Sequence, residues 1–294
     1  MNIFVTGATG FIGTHVAKEM FNAGHKVIGL ARSDAGARRL TDIGVNVHRG
    51  SLEDLDCLRS GAADADAVIH LGFVHDFSKF QENCEIDRQA IEALGSVLAG
   101  TGRPLIITSG LVPAEAPGQL STEANIVPPD FPTPRVSEQT ALALQAKKVS
   151  SAVVRLPQVH NTIKQGLVTY AIEIAREKRI SAYVGDGQSR WAAAHVTDVA
   201  RLYRLAIEKH KSGAIYHAVA EEGIRMRDIA EAIGRSLGMS AVSISPEEVR
   251  EHFGWLGMFV ERDLPASSAI TREKLGWIPT GPGLIADIER INAQ

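Results

Sequence analysis

Cysteine is nearly absent, with only Cys57 and Cys84 in 294 residues and no metal-like spacing between them. That usage suits a reducing compartment, where disulfides do not persist, although two cysteines could still form one bridge. Charge of one sign is missing too. The net charge of −3 gives no electrostatic reason to bind nucleic acid or an anionic membrane. No apolar run approaches the ~20 residues of a membrane span. The chain opens on an apolar strand, so no signal peptide is expected and a cytoplasmic location is anticipated. The histidines show no H-E-x-x-H or clustered Cys/His pattern, so no metal is expected. There is no G-x-S-x-G elbow, and the first glycine cluster lacks the Lys-Ser/Thr ending of a P-loop. Apolar content of 45% and charged content of 22% describe an ordinary globular chain with a large core.

What is present begins at once. Residues 3–13 read Ile-Phe-Val-Thr-Gly-Ala-Thr-Gly-Phe-Ile-Gly, an apolar strand breaking into Gly7, Gly10 and Gly13. A buried strand, a glycine turn and a helix N-terminus together make a pyrophosphate site. Free backbone N–H groups and the positive end of the helix dipole favour phosphate, and the glycines allow close approach. A tight packing turn is the plain alternative. The following helix carries Ile12, Val16 and Met20 on one face and stops at Gly24.

Strand and helix patterns then alternate to about residue 110. Strands are expected at Lys26–Ala31, Val45–His48, Ala67–Leu71 and Pro104–Ser109. Helices are expected around Ala35–Ile43, Leu52–Gly61 and Glu85–Leu98. This repetition predicts an α/β fold, a Rossmann-type doubly wound parallel sheet. The proline-rich stretch 111–134 reads as a long loop, 135–148 as a helix and Ala152–Leu156 as a strand. Beyond Pro157 the pattern loosens. Helices are expected at Gly166–Lys178, at Thr197–His210 with Thr197 or Asp198 as cap, and at Met226–Leu237, with a strand at Ala214–Val219. The organisation is therefore a nucleotide-binding domain over 1–157, its sheet completed by about 195–220, and a small substrate-binding lobe over 158–294.

These residues carry a resemblance. Thr6-Gly-Ala-Thr-Gly-Phe-Ile-Gly13, Val68-Ile-His-Leu-Gly72, Ile106-Ile-Thr-Ser-Gly110, Val154-Arg-Leu-Pro157, His195-Val-Thr-Asp198 and Leu275-Gly-Trp-Ile-Pro279 resemble, in order, the extended short-chain dehydrogenase/reductases, the NAD-dependent epimerase/dehydratase group. The resemblance runs from residue 3 to about residue 285. It implies a nicotinamide cofactor and a C-terminal substrate lobe. One departure is large. The family's catalytic Tyr-x-x-x-Lys pair should lie between the Ser109 and Arg155 strands, yet the first tyrosine in this chain is Tyr170.

For the cofactor, Gly7, Thr9, Gly10, Phe11 and Ile12 are expected at the pyrophosphate. The second strand ends Leu30-Ala31-Arg32-Ser33. An acid there would hold the ribose hydroxyl of NAD, whereas Arg32 and Ser33 suit the 2′-phosphate of NADP. NADP is expected, and Asp34 keeps NAD open. By position, Ser51 and Leu52 flank the adenine, Leu71, Gly72 and Phe73 lie along the cofactor, and Pro157 precedes the nicotinamide loop.

Hydride transfer to a carbonyl needs a proton source near the substrate oxygen. Ser109 matches the family's substrate-orienting serine. Arg135 lies where the tyrosine is missing; it can hold an alkoxide or carboxylate but is no acid. His160 is the best acid by residue type, and His75 is a second candidate. Ser109, Arg135 and His160 are thus the expected catalytic set. Tyr183, Arg190 and Trp191 are candidates for pocket lining. His195 is expected to support the site from behind, and Glu138 to pair with a buried base such as Arg155. The expected function is an NADP-preferring oxidoreductase acting on a small carbonyl or alcohol. An epimerase- or dehydratase-like enzyme and a non-catalytic NADP-binding redox sensor are the alternatives. The expected partner is a small-molecule substrate, and the resemblance leaves a homodimer open through helices 85–98 and 135–148.

Overall fold

Alternating apolar runs and amphipathic stretches settle into β1(Asn2–Thr6), α1(Phe11–Asn22), β2(Lys26–Ala31), α2(Asp34–Asp42), β3(Asn46–Arg49), α3(Leu55–Ala63), β4(Ala67–His70), α4(Phe80–Leu98), β5(Pro104–Gly110), α5(Ser137–Ala143) and β6(Ser150–Leu156). There follow β7(Gln158–His160), α6(Val168–Lys178), β8(Ser181–Val184), β9(Arg190–His195), α7(Val196–Glu208), β10(Ile215–His217), β11(Glu221–Arg225), α8(Met226–Leu237), β12(Ala241–Ile244), α9(Val249–Phe253), α10(Gly257–Val260), α11(Ala269–Leu275) and α12(Leu284–Ile288). The computed structural model describes residues 1–127 and 133–291; the ends of the proline-rich loop and of the C-terminal lobe, 128–132 and 292–294, lie outside the described residues.

The chain forms two units. The first holds residues 1–109, the described part of 128–155, and 199–216. Its frame is a seven-stranded sheet in the order β10-β6-β5-β4-β1-β2-β3. β1 runs parallel to both β2 and β4, β2 to β3, and β4 to β5. Strand order reverses between β1 and β4, the place where such sheets open a crevice at their carboxyl ends. Phe4, Leu58, Val68, Ile91, Leu94, Leu105, Ile107 and Val153 are fully buried in this unit's core. Near-continuous burial of β1 and β4 is what a sheet covered by helices on both faces requires.

The second unit holds 110–127, 156–198 and the described part of 217–294. β9 pairs with β11 antiparallel and with β7 parallel, while β8 pairs with β12. Its core gathers Ile172, Trp191, Ile229, Ile233, Phe253, Leu256, Leu284 and Ile288. Gly238, in the left-handed conformation at φ +66°, ends α8 as the sequence leads one to expect.

Three expectations need correction. The boundary falls at Arg155/Leu156, not after 157, and 110–127 joins the second unit because Ser121 bonds the backbone of Pro265 and Ser267 while Glu123 accepts from Thr271. The helix expected over 135–148 is α5 followed by a 3-10 turn at Leu144–Lys147, closed by Lys148 at φ +59°. Neither Thr197 nor Asp198 caps α7, which begins at Val196. Instead the Asp198 carboxylate accepts from the backbone N–H groups of Thr280 and Gly281, at 3.0 and 2.8 Å. No helix among the described residues is long and apolar enough to cross a membrane.

Candidate nucleotide site and its polar surroundings

The glycine turn is closed to side chains. Gly7 has φ +68°, and a Cβ there would lie 2.7 Å from the backbone nitrogen of Gly72. A Cβ on Gly13 would stand 2.0 Å from the Gly7 carbonyl oxygen. β1, β4 and the first turn of α1 therefore meet backbone to backbone. Gly10 occupies the N-cap of α1 without a side-chain cap, and no acid sits in the first turn. The helix start thus presents N–H groups and an uncompensated positive end, the donor set that a pyrophosphate needs. Thr9, Phe11 and Ile12 are half-buried around it.

At the end of β2, Arg32 is exposed and has no side-chain partner among the described residues, whereas the Asp34 carboxylate is engaged by the Arg49 guanidinium. Ser33 caps α2 by accepting from the Gly36 N–H at 3.1 Å, which leaves its hydroxyl hydrogen available. Ser51 and Leu52 are half-buried after β3, and a Cβ on Gly72 would strike the Leu52 side chain at 2.7 Å. Leu71, Gly72 and Phe73 follow β4 directly, with Gly72 donating its N–H to Thr6 Oγ1.

Arg135 joins this set within the first unit. Its guanidinium lies 4.4 Å over the Phe73 ring, donates from Nε to Ser137 Oγ at 3.0 Å, and donates from Nη2 to the Thr108 carbonyl at 3.3 Å. Thr108 precedes Ser109, which is half-buried at the end of β5. The structure therefore gathers Phe73, Ser109 and Arg135 at the carboxyl ends of β4 and β5. The Thr108 hydroxyl bonds the His70 carbonyl and the Tyr203 hydroxyl, and burial pushes the pKa of that phenol well above its ordinary value. Tyr203 is no substitute for the missing family tyrosine. Glu138 meets Arg155 as expected, with both carboxylate oxygens engaged.

Pro157 and His160 belong to the second unit, where Pro157 is half-buried. The expectation for His160 is corrected. It is wholly buried, its Nδ1 2.7 Å from Asp287 Oδ2 and its Nε2 3.8 Å from Glu221 Oε2. Burial pulls its pKa below the ordinary value despite Asp287. His195 packs edge-on against it, the ring centroids 5.7 Å apart. Arg190 is held by both oxygens of Asp263, and Trp191 lies in the core rather than on a pocket wall. Tyr183 is half-buried beneath Arg227 at 5.7 Å, and His75 is exposed with its ring nitrogen on the Phe73 carbonyl. The sequence reading missed His70, Asp87 and Ser137, a buried polar set behind Arg135. A polar residue at a core position of α4 was the available signal.

A parallel sheet with a glycine turn at its switch point and a bare helix start defines the class of Rossmann nucleotide-binding proteins. The model of the NAD dependent epimerase/dehydratase family matches residues 3–220, and the chain belongs to that family. It is 47% identical over 98% of its length to an uncharacterized protein of Schizosaccharomyces pombe, and 44% identical over 98% to one of Saccharomyces cerevisiae, each covered to 98%. A UDP-glucose 4-epimerase of Thermus thermophilus, solved in complex with NAD, shares the fold at a TM-score of 0.77, with 20% identity and 98% and 97% of the two chains covered. Family membership supports a nicotinamide cofactor.

Proposed function

We propose that this protein is an NADP-preferring oxidoreductase that moves a hydride to or from a small carbonyl or alcohol substrate. The observation that carries the coenzyme choice is the Asp34–Arg49 pair. An acid at the end of β2 would hold a ribose hydroxyl, but Asp34 faces the Arg49 guanidinium in an exposed ion pair, while Arg32 is exposed and has no side-chain partner among the described residues. Gly7, Thr9, Gly10, Phe11 and Ile12 would cradle the pyrophosphate, and Arg32 with Ser33 the 2′-phosphate. Ser51 and Leu52 would flank the adenine; Leu71, Gly72 and Phe73 would line the rest. The cavity-free contact of Gly7 with Gly72 fits a backbone-lined phosphate cradle.

The bound nicotinamide would supply or accept the hydride. The chain's own part is polar positioning. Arg135, fixed over Phe73, receives the substrate oxygen and stabilises the alkoxide charge, while the Ser109 hydroxyl orients the carbonyl. With His160 sealed in the second unit, the proton comes from solvent. The substrate is a small molecule, met in the cytoplasm.

The burial of His160 favours a second reading, a protein that binds NADP and senses redox state without turnover. Titration with NADPH and NADH by fluorescence, then a screen of aldehydes, ketones and imines for loss of nicotinamide absorbance, separates the two. Tighter NADPH binding with turnover that Arg135→Ala abolishes is the expected result. Tight binding with no turnover across the panel supports the sensor, and binding of neither nucleotide removes both readings.

A further inference from the structure

Behind Arg135 the first unit holds a continuous chain of buried side chains. Thr6 Oγ1 lies 2.8 Å from His70 Nδ1, and His70 Nε2 lies 3.1 Å from Asp87 Oδ1. The Ser137 hydroxyl donates to Asp87 Oδ2 at 2.5 Å and accepts from Arg135 Nε at 3.0 Å. Thr6, His70, Asp87 and Ser137 are all essentially without solvent exposure.

The Gly72 N–H donates to Thr6 Oγ1, which also hydrogen-bonds His70 Nδ1. Toward the Asp87 carboxylate, His70 Nε2 is the donor. Both Asp87 oxygens accept, so Asp87 is a carboxylate and Ser137 must point its hydrogen inward. That leaves the outward lone pair of Ser137 for one group, the Arg135 Nε–H. Burial alone would raise the Asp87 pKa; the His70 hydrogen bond, with the Arg135 charge and Ser137 behind it, brings it below the ordinary value.

We propose that Asp87 is a positioning residue, which through Ser137 sets the plane and direction of the Arg135 guanidinium. This rests on the reading of Arg135 as the group that receives the substrate oxygen. An apolar side chain at 87 would fill the same space in α4 without the desolvation cost of a buried carboxylate. The carboxylate is anchored from the β1 and β4 side by Thr6 and His70. Ser137 takes Nε, the Thr108 carbonyl takes one Nη2 hydrogen, and Phe73 sets the plane. Three restraints on one guanidinium leave its Nη1 edge, unpartnered among the described residues, in one orientation, which is what a fixed oxyanion-binding donor requires.

The Arg135 Nε–H resonance in a proton–nitrogen spectrum reads this arrangement without reference to activity. Ser137→Ala and Asp87→Asn are each expected to speed its exchange with water by about tenfold, the loss of roughly one charge-assisted hydrogen bond. Ser137→Thr, which keeps the hydroxyl, should restore wild-type exchange, and NADPH affinity should stay within about twofold throughout. For a carbonyl substrate found in the panel, kcat should fall by about tenfold in Ser137→Ala and recover in Ser137→Thr, since misplacement of a positioned group slows turnover. Unchanged Nε–H exchange in both Ser137→Ala and Asp87→Asn overturns the proposal. If Arg135→Ala keeps full turnover, the role given to Arg135 in catalysis fails, while the exchange measurement still decides what holds it. Should Asp87→Asn fail to fold, Ser137→Ala decides alone.

Discussion

Arg155 on β6 grips Glu138 on α5 through two hydrogen bonds, Nε to Oε2 at 2.7 Å and Nη2 to Oε1 at 2.6 Å, with neither side chain open to solvent. The pair ties the helix that follows Arg135 to the sheet. Removing one partner strands a buried charge. Glu138→Ala is expected to cost about 3–5 kcal/mol, measured as a shift in the denaturant midpoint. A loss below about 1 kcal/mol, the scale of an exposed ion pair, would mean that water reaches Arg155.

If the proposed NADP reading holds, Arg32 carries the coenzyme preference, since the Asp34 carboxylate faces the Arg49 guanidinium. Arg32→Asp should weaken NADPH binding by about 2 kcal/mol, roughly 30-fold, and leave NADH nearly unchanged. Fluorescence titration of both nucleotides checks it; equal losses would detach Arg32 from the 2′-phosphate.

Gly13 has no room to grow. A Cβ would stand 2.0 Å from the Gly7 carbonyl oxygen, and backbone cannot swing aside as a side chain can. Gly13→Ala is expected to lower stability by about 3 kcal/mol, at the upper end of overpacking costs, and to abolish nucleotide binding. Thermal unfolding with and without NADPH reads both effects.

His160 makes stability depend on pH. Burial holds its pKa below the ordinary 6.5, outweighing the pull of Asp287 and Asp198, with His195 also opposing protonation and Glu221 3.8 Å away. As pH falls the unfolded chain takes up this proton first. The contribution of His160 is therefore complete above about pH 7 and is lost as pH drops through 6.5 toward the lower folded value. The thermal midpoint should fall between about pH 7.5 and 5.5, and His160→Gln should flatten that slope. Half-buried His210 and His252 shift the same way, so the difference between variant and wild type isolates the His160 share. An unchanged slope in the variant would show that His160 takes up its proton at the same pH in the folded and unfolded states.

Much of the fold was legible because its signals are local. β2 spans Lys26–Ala31 and α8 spans Met226–Leu237, as the apolar spacing and Gly238 lead one to expect. Glu138 and Arg155 were matched because a buried acid needs a buried base. The misjudged residues share another property: their surroundings come from distant segments. His160 looked like an acid in an open loop, yet it lies on β7 facing Asp287, 127 positions away. Arg190 looked available but is spent on Asp263, 73 positions on. Asp198 looked like a cap, and its carboxylate holds the chain at Thr280 and Gly281.

The sequence by itself determined the glycine turn, the alternation of strand and helix, and the absence of a tyrosine before Tyr170. Those follow from backbone sterics and hydrophobic period, which act over a few residues. Tertiary structure alone decided that Asp34 pairs with Arg49, that His160 is buried, and that Ser137 links Asp87 to Arg135 by hydrogen bonds. Whether a charged side chain is free or spent depends on what folding brings beside it and on how much water remains, and neither is written within a few residues of its position.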